Sequence, residues 1–407
     1  MGGIAAAAGA APVNPFRIHG VVSEAFFTDR TAELRRLHAT LTEPGAKLVV
    51  YGPRRMGKTS LVTEAIRRAE RRGGAAFLAD LSTVSTVADI ANRILEAAAR
   101  TLGRKWKDSI TDLVARLGLS VSLSPDPATG LVLPSLDVAL RSAPIDLQRA
   151  SLAATLDTVD ALAKSRKTTI GVVLDEFQEI HRFGGEDAEW HLRGDIQHHA
   201  HVSYVLAGSE ALLIERMLGK GRAFYGLLDQ LALGPIEPSH LSAWIDERMV
   251  RNGVKTRTVG ARATALAGPR TRDIIQVARR CFDRTRPARV GTAADVDLAF
   301  DDIVAEQDAA LRSTWESLTA AQQNVLRAVS ANLGGLTTHQ TVARFGLRSS
   351  GTATNSAAAL VDAGILIKIP GATGYTFDNP FFTRWVAVNT LGDLGLPVPP
   401  LAESRQT

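Results

Sequence analysis

The chain has 407 residues, of which 45% are hydrophobic and 22% charged, with a formal net charge of +5 and 5% aromatic residues. Those proportions suit two or three globular domains and exclude a disordered or collagen-like polymer. The single cysteine, Cys281, excludes an intrachain disulfide, and no apolar run reaches the roughly 18 residues needed to cross a bilayer, so the expectation is a cytoplasmic protein without a membrane partner.

From the start of the chain, residues 1–14 read as a loose tail. Met1-Gly2-Gly3-Ile4 and the alanines after it lack the basic stretch of a signal peptide, and Ala6 breaks the myristoylation pattern. A helix is expected from about Arg30, with Thr28 or Asp29 as its cap and Leu34 and Leu37 opening its apolar stripe. Lys47-Leu48-Val49-Val50 reads as a strand and Leu61–Ile66 as a helix. Between them stands Gly52-Pro53-Arg54-Arg55-Met56-Gly57-Lys58-Thr59-Ser60. Strand, glycine loop and helix form the context in which the pattern G-x-x-x-x-G-K-[ST] marks a phosphate site. The glycines permit backbone torsions that aim amide hydrogens inward, and the helix adds its positive end. Lys58 is placed to reach the outer phosphates of a nucleotide, and the Thr59 hydroxyl to ligate Mg2+.

Ala75–Asp80 is a second expected strand, followed by helices at Val87–Leu102 and Ile110–Leu117. Residues 118–146 break the alternation with a hairpin or flap around the turn residues Pro125–Gly130. After a helix at Leu147–Lys164, the run Ile170–Leu174 ends in Asp175-Glu176, as a strand buried on both faces and tipped with acid would. Asp175 would hold Mg2+ through its water shell, and Glu176 would orient and polarise an attacking water. Val202–Gly208 is a further strand. Ser209 after it either caps the next helix or senses the γ-phosphate. His198, His199 and His201 invite a metal reading, yet no cysteine accompanies them, and a packed or solvated cluster is preferred. Leu231–Pro235 is the last strand expected of the sheet.

Residues 236–308 read as helical. Arg270 and Arg272 stand near a helix start, where they oppose the dipole, so a bound anion competes there with plain exposed arginines. Cys281, in a helical stretch without a partner base, reads as a packed thiol. From Thr319 come three short helices and a hairpin, Ile365–Ile369 with Tyr375–Phe377, the pattern of a winged helix-turn-helix. Its presumed recognition helix, 350–364, carries no Lys or Arg and includes Asp362; Arg344, Arg348, Lys368 and Arg384 surround it without forming a dense patch. Residues 396–407 read as a loose end.

Several of these stretches together resemble the archaeal-type and related bacterial AAA+ ATPases, relatives of the origin-recognition initiators and of signalling (STAND) NTPases. They are Phe27-Thr28-Asp29-Arg30, Tyr51 through Thr59, Val173 through Glu179, Leu206-Ala207-Gly208-Ser209, Ala223-Phe224-Tyr225-Gly226, Leu233-Gly234-Pro235 and Asp378 through Trp385. The resemblance implies an α/β fold with a five-stranded parallel P-loop core over 15–235, a helical lid over 236–308 and a C-terminal winged helix over 309–395. It implies nucleotide binding by Gly52 through Ser60, catalysis by Lys58 and Glu176, metal at Thr59 and Asp175, Ser209 as first sensor and Arg270 or Arg272 as second. Where the family often carries an arginine after its Tyr-Gly, this chain has Leu227, so Arg222 or Arg216 becomes the candidate for an arginine reaching a neighbouring subunit, and turnover should be slow. The implied function is a Mg2+-dependent switch that hydrolyses ATP to ADP and phosphate, with homo-oligomerisation open and DNA or protein as partner of the winged helix. A DNA-binding ATPase and a non-hydrolysing nucleotide scaffold are the alternatives.

Overall fold

The computed structural model describes residues 14–18, 28–102, 121–125, 132–136, 138–331, 335–369 and 374–401. The expectations for the tail at 1–13, for Phe26-Phe27, for the helix at 110–117 and for the chain ends of both hairpin turns (126–130 and 370–373) lie outside them, as does 402–407. The chain divides between Gly234 and Pro235 into two units: His19–Gly234, and Pro235–Thr407 together with Met1–Ile18.

In the first unit, β1 (Lys47–Tyr51), β2 (Ala75–Asp80), β5 (Ile170–Asp175), β6 (Val202–Gly208) and β7 (Asp229–Ala232) form one sheet in the order β2-β5-β6-β1-β7, every pair parallel. α1 (Thr31–Thr42) precedes the first strand; parallel neighbours need crossover connections, and these contain α2 (Lys58–Arg71), α3 (Val87–Leu102), α4 (Ile145–Ser165), α5 (Glu179–Gln197) and α6 (Ala211–Met217). Strand side chains alternate between faces, and the two resulting layers are distinct. Leu48, Val50, Ala76, Val173 and Val205 pack with Leu34, Leu37 and Leu41 of α1 and Leu61, Val62 and Ala65 of α2. Val49, Phe77, Val172, Leu174, Tyr204 and Leu206 pack on the opposite face against α3, α4 and α5. Each large side chain so buried contributes about 1.5–3 kcal/mol, and a one-residue slip would exchange the layers, so the register is strongly fixed.

The sequence placed β2 and α3 correctly. Two starts differ. α1 begins at Thr31, with Arg30 in the N-cap position in left-handed conformation (φ 65°), so neither Thr28 nor Asp29 caps it. Arg30 instead donates from Nη2 to the carbonyl of Gly234 at 2.6 Å, a tertiary bond that no local pattern announces. β7 is Asp229–Ala232, earlier than the expected Leu231–Pro235, because an edge strand pairs on one side only and needs no apolar run. The inserted segment forms an antiparallel pair, β3 (Val121–Pro125) with β4 (Val132–Leu136).

The histidine cluster is taken up by neighbours. His199 bridges the Tyr204 hydroxyl (2.7 Å) and Asp157 (2.9 Å), and His201 lies 3.3 Å from Asp160. Asp160 also accepts from the amides of His201 and Val202, fixing the start of β6.

The second unit holds α7 (Pro238–Arg251), α8 (Val259–Ala267), α9 (Thr271–Thr285), α10 (Ala293–Glu306) and α11 (Asp308–Glu316), then α12 (Ala320–Ser330), α13 (His339–Arg344), α14 (Ser350–Asp362), the antiparallel pair β8 (Leu366–Lys368) and β9 (Tyr375–Phe377), and α15 (Pro380–Thr390). Three helices followed by a hairpin match the winged-helix expectation. One core runs through the unit: Phe300 meets Phe381 with ring centroids 4.9 Å apart, Arg384 pairs with Asp301 at 2.9 Å, and Trp385 Nε1 donates to Asp308 at 2.7 Å. Cys281 is fully buried in it, and burial pushes its thiol up to about 12, which suits a packing residue. Among the described residues no helix is long and apolar enough to cross a membrane.

Asp195 on α5 is pushed up to about 6, by burial first and by the charge of Asp157 second. A carboxyl that holds its proton more tightly folded than unfolded lowers stability as pH rises from the unfolded value through the folded one. Asp195→Asn should therefore raise the melting temperature above about pH 7 and leave it unchanged below about pH 3.5, which thermal melts at the two pH values check.

Candidate active site

β1 ends at Tyr51 and α2 begins at Lys58, so the glycine loop spans the turn between them at the C-terminal edge of the sheet. Two features make its residues necessary. A Cβ on Gly52 would stand 2.3 Å from the carbonyl oxygen of Leu233, whose own amide donates to Tyr51 O at 2.7 Å. The chain leaving β7 thus presses on the loop so closely that only glycine fits. Gly57 has φ 89° and caps α2, and a Cβ there would meet nothing within 4 Å, so the mouth of the loop is open on that side. Met56 is 4% exposed and sits in the layer beneath α1 and α2, anchoring the loop by its side chain and leaving its main chain for a ligand. Pro53, Arg54 and Thr59 are exposed, while Arg55, at φ 67°, and Ser60 are half-buried.

Lys58 is 6% exposed, and its ammonium donates to the carbonyls of Gly52 (2.8 Å) and Pro53 (2.7 Å). The positive charge is therefore held at the loop by two carbonyls that an anion can replace. Thr59 Oγ1 donates to Asp175 Oδ2 at 2.8 Å, joining the first turn of α2 to the tip of β5. Asp175 is 4% exposed, and burial, aided by the charge of Glu176 and opposed by the Thr59 hydrogen bond, raises its carboxyl above the ordinary range. A buried carboxylate next to a hydroxyl is a hard oxygen donor set that fits Mg2+.

Glu176 follows with φ 55°, a conformation uncommon for a residue with a side chain. Phe177 N donates to Ala207 O at 3.0 Å and holds the turn, and Ser209 Oγ donates to Glu176 Oε2 at 2.7 Å. Ser209 does not cap the next helix: Glu210 occupies the N-cap position of α6, and the Ser209 hydroxyl is spent on Glu176. Three residues absent from the sequence-based site join this edge. Gln178, wholly buried, donates from Nε2 to Glu176 Oε2. Glu210 lies 3.8 Å from Arg54 of the loop and also pairs with Arg182 of α5. Its place two residues after Glu176 was the available signal for Gln178; the partners of Glu210 are too distant in sequence to be read.

The arginines are divided. Arg222 is tied within the chain: Nη2 reaches both oxygens of the fully buried Glu189 at 3.0 and 3.1 Å, and Nη1 meets Glu186. Within the chain its guanidinium fastens the segment before Ala223 to α5. Arg216 on α6 is exposed. Arg270 is 6% exposed and pairs with Asp378, and Arg272 is exposed in the first turn of α9; both belong to the second unit.

The sequence matches, over residues 27–231 and so over just more than half of the chain, the family described as an ATPase domain predominantly from Archaea. The chain belongs to that family. It is a nucleotide-binding P-loop ATPase. Similar solved folds include the Walker-type ATPase of Pyrococcus abyssi (13% identity, 91% of this chain and 99% of that one, TM-score 0.60). The Aeropyrum pernix ORC2 protein in its ADPNP-ADP complexes is similar at 16% identity (91% and 96% covered, TM-score 0.54), and the Aeropyrum pernix ORC1 protein in complex with DNA at 17% (91% and 95% covered, TM-score 0.50). No curated protein matches.

For this ATPase, Gly52→Ala forces the loop away from the Leu233 carbonyl and should cost about 1–3 kcal/mol with a loss of nucleotide binding. Gly57→Ala meets open space and only the left-handed torsion, so it should cost about 1 kcal/mol. Denaturant titration of both variants checks the order.

Proposed function

We propose that this ATPase is a Mg2+-dependent molecular switch of low turnover, whose nucleotide state governs engagement of a partner by its C-terminal unit. The hydrogen bond from Thr59 to Asp175 carries the reading, because it sets a hydroxyl and a buried carboxylate side by side at the mouth of the phosphate loop. In this reading the amides of the loop and Lys58 bind the phosphates, and Thr59 and Asp175 hold the cation. The cation, when bound, neutralises charge on the phosphates. Glu176 orients a water and takes up its proton, and Ser209 keeps the Glu176 carboxylate in place.

Low turnover follows from the arginines. Arginines supplied by a second subunit contribute about 10³-fold or more in comparable enzymes, yet Leu227 stands at the family position and Arg222 is bound to Glu189. Arg216, exposed on α6, is the remaining candidate if the chain self-associates. A switch needs a ligand that makes different contacts in two states, and the γ-phosphate, which ATP carries and ADP lacks, would supply that difference at Lys58 and at the Glu176–Ser209 pair.

A second reading, action on DNA, is favoured by the three helices and hairpin of the C-terminal unit and by the Aeropyrum pernix relative solved with DNA. Against it, the exposed face of α14 offers Thr354, Asn355, Ala358 and Asp362 and no base, and Arg384 is taken by Asp301. Arg344, Arg348 and Lys368 remain exposed.

Glu176→Gln should keep ATP affinity and lower phosphate release about 10²-fold or more, checked by calorimetry and a phosphate-release assay. Unchanged release would exclude Glu176 as base. Because burial raises the Asp175 carboxyl, and a cation needs the ionised form, Mg2+·ATP should bind more weakly at about pH 5.5 than at about pH 7.5, with proton release on binding. Calorimetry in buffers of different ionisation heat reads that proton. A salt-dependent shift of duplex DNA, lost on deletion of 310–407, would turn the partner reading toward DNA.

A further inference from the structure

Gln178 lies within the Val173–Glu179 stretch, where the resemblance gives it no role, yet it is fully buried against the functional edge. It stands in the turn between β5 and α5, two residues beyond Glu176. Its Nε2 donates to Glu176 Oε2 and lies 3.4 Å from Ser209 Oγ, and Ser209 Oγ donates to the same Oε2 at 2.7 Å. One carboxylate oxygen is therefore bracketed by two donors, one from the chain just after β5 and one from the chain just after β6. The amide cannot be turned over without setting its oxygen against the carboxylate, so the network fixes which end faces Glu176.

The other end of the amide marks the residue as more than packing. Gln178 Oε1 is buried with no hydrogen-bond partner. It occupies the space beside Gly208, where a Cβ would stand 2.5 Å from it. A buried polar atom left unbonded costs about 1–3 kcal/mol, and a side chain of similar volume without polar atoms, such as methionine, would fill the same place without that cost. The glutamine thus carries one unbonded atom, and the bond its Nε2 makes is to the base.

We propose that Gln178 is a positioning residue for Glu176: with Ser209 it clamps Oε2, so that the carboxylate keeps one rotamer and offers Oε1 to the attacking water. The inference rests on the reading of Glu176 as the base. It assigns the specificity of the clamp to an amide donor that reaches across from the turn, not to the phosphate loop, so loss of the donor alters the chemical step and leaves nucleotide binding alone.

Gln178→Met in the full chain tests this. Single-turnover phosphate release should slow by about 10- to 100-fold, the scale of a misplaced catalytic group. ATP affinity by calorimetry should stay within about twofold of the parent, since Gln178 has no place in the phosphate loop. The melting temperature should stay near the parent's, because removal of the unpartnered Oε1 offsets loss of the Nε2 bond to Glu176. A crystal structure of the variant should show the Glu176 carboxylate in more than one rotamer. In a Glu176→Gln background Gln178→Met should have no further effect on release, as expected of residues acting through one another. Gln178→Asn, which keeps an amide one methylene short, serves as a second variant with the same expected split. Wild-type release from either variant at unchanged affinity and melting temperature would overturn the proposal. If Glu176→Gln itself retains wild-type release, the fault lies with Glu176 as base; if Glu176→Gln loses release and Gln178→Met does not, only the clamp fails.

Discussion

The hydrogen bond from Thr59 to Asp175 joins residues 116 apart in the chain, and much of the first unit exists to make it. It requires the ends of β1 and β5 to lie on one edge of a sheet with β6 between them, which only a parallel arrangement with crossover helices provides. The strands that carry it are buried on both faces, and that burial is what raises the Asp175 carboxyl and makes it a responsive partner for a cation. The same edge receives Leu233 from β7, whose carbonyl closes on Gly52 and fixes the loop from the other side. Fold and site are in this sense one constraint: the register that fills two apolar layers also sets the two polar tips together.

From that edge a set of contacts leads away along α5. Phe177, next to Glu176, meets Phe224 edge to face with centroids 5.9 Å apart. Arg222 holds Glu189 and Glu186, and Arg193 donates to the carbonyls of Ala223 and Tyr225. The segment Ala223-Phe224-Tyr225-Gly226 is thereby fastened to the helix that begins at the base. On its outer side, Tyr225 is 55% exposed, so the fastened segment also presents a large side chain to solvent. A shift of Glu176 would be felt there through packed aromatic rings and charged pairs, the kind of connected path along which coupling can be tested.

The sequence carried the phosphate loop and the acidic tip in full, because each depends on local chemistry: glycines where torsion or crowding demands them, a near-continuous apolar run where a strand is covered on both faces. The strand and helix order followed from the same periodicities. What stayed hidden depends on partners distant in sequence. The start of α1 was misplaced because Arg30 answers to Gly234 and not to a local cap. β7 was shifted because an edge strand can be polar: Asp229 and Gln230 are exposed in it. The pairing of Arg222 with Glu189, 33 residues away, and the amide bond of Gln178 to Glu176 are matters of side-chain geometry that no local pattern shows.

The central claim is that a nucleoside triphosphate lies in the loop from Gly52 to Thr59, with its metal between Thr59 and Asp175. Calorimetric titration of ATP with Mg2+ into the full chain, beside the Lys58→Ala variant, tests it most directly. The account predicts saturable uptake at one site per chain that the variant loses. Uptake undiminished in the variant, or none by the intact chain, would contradict it.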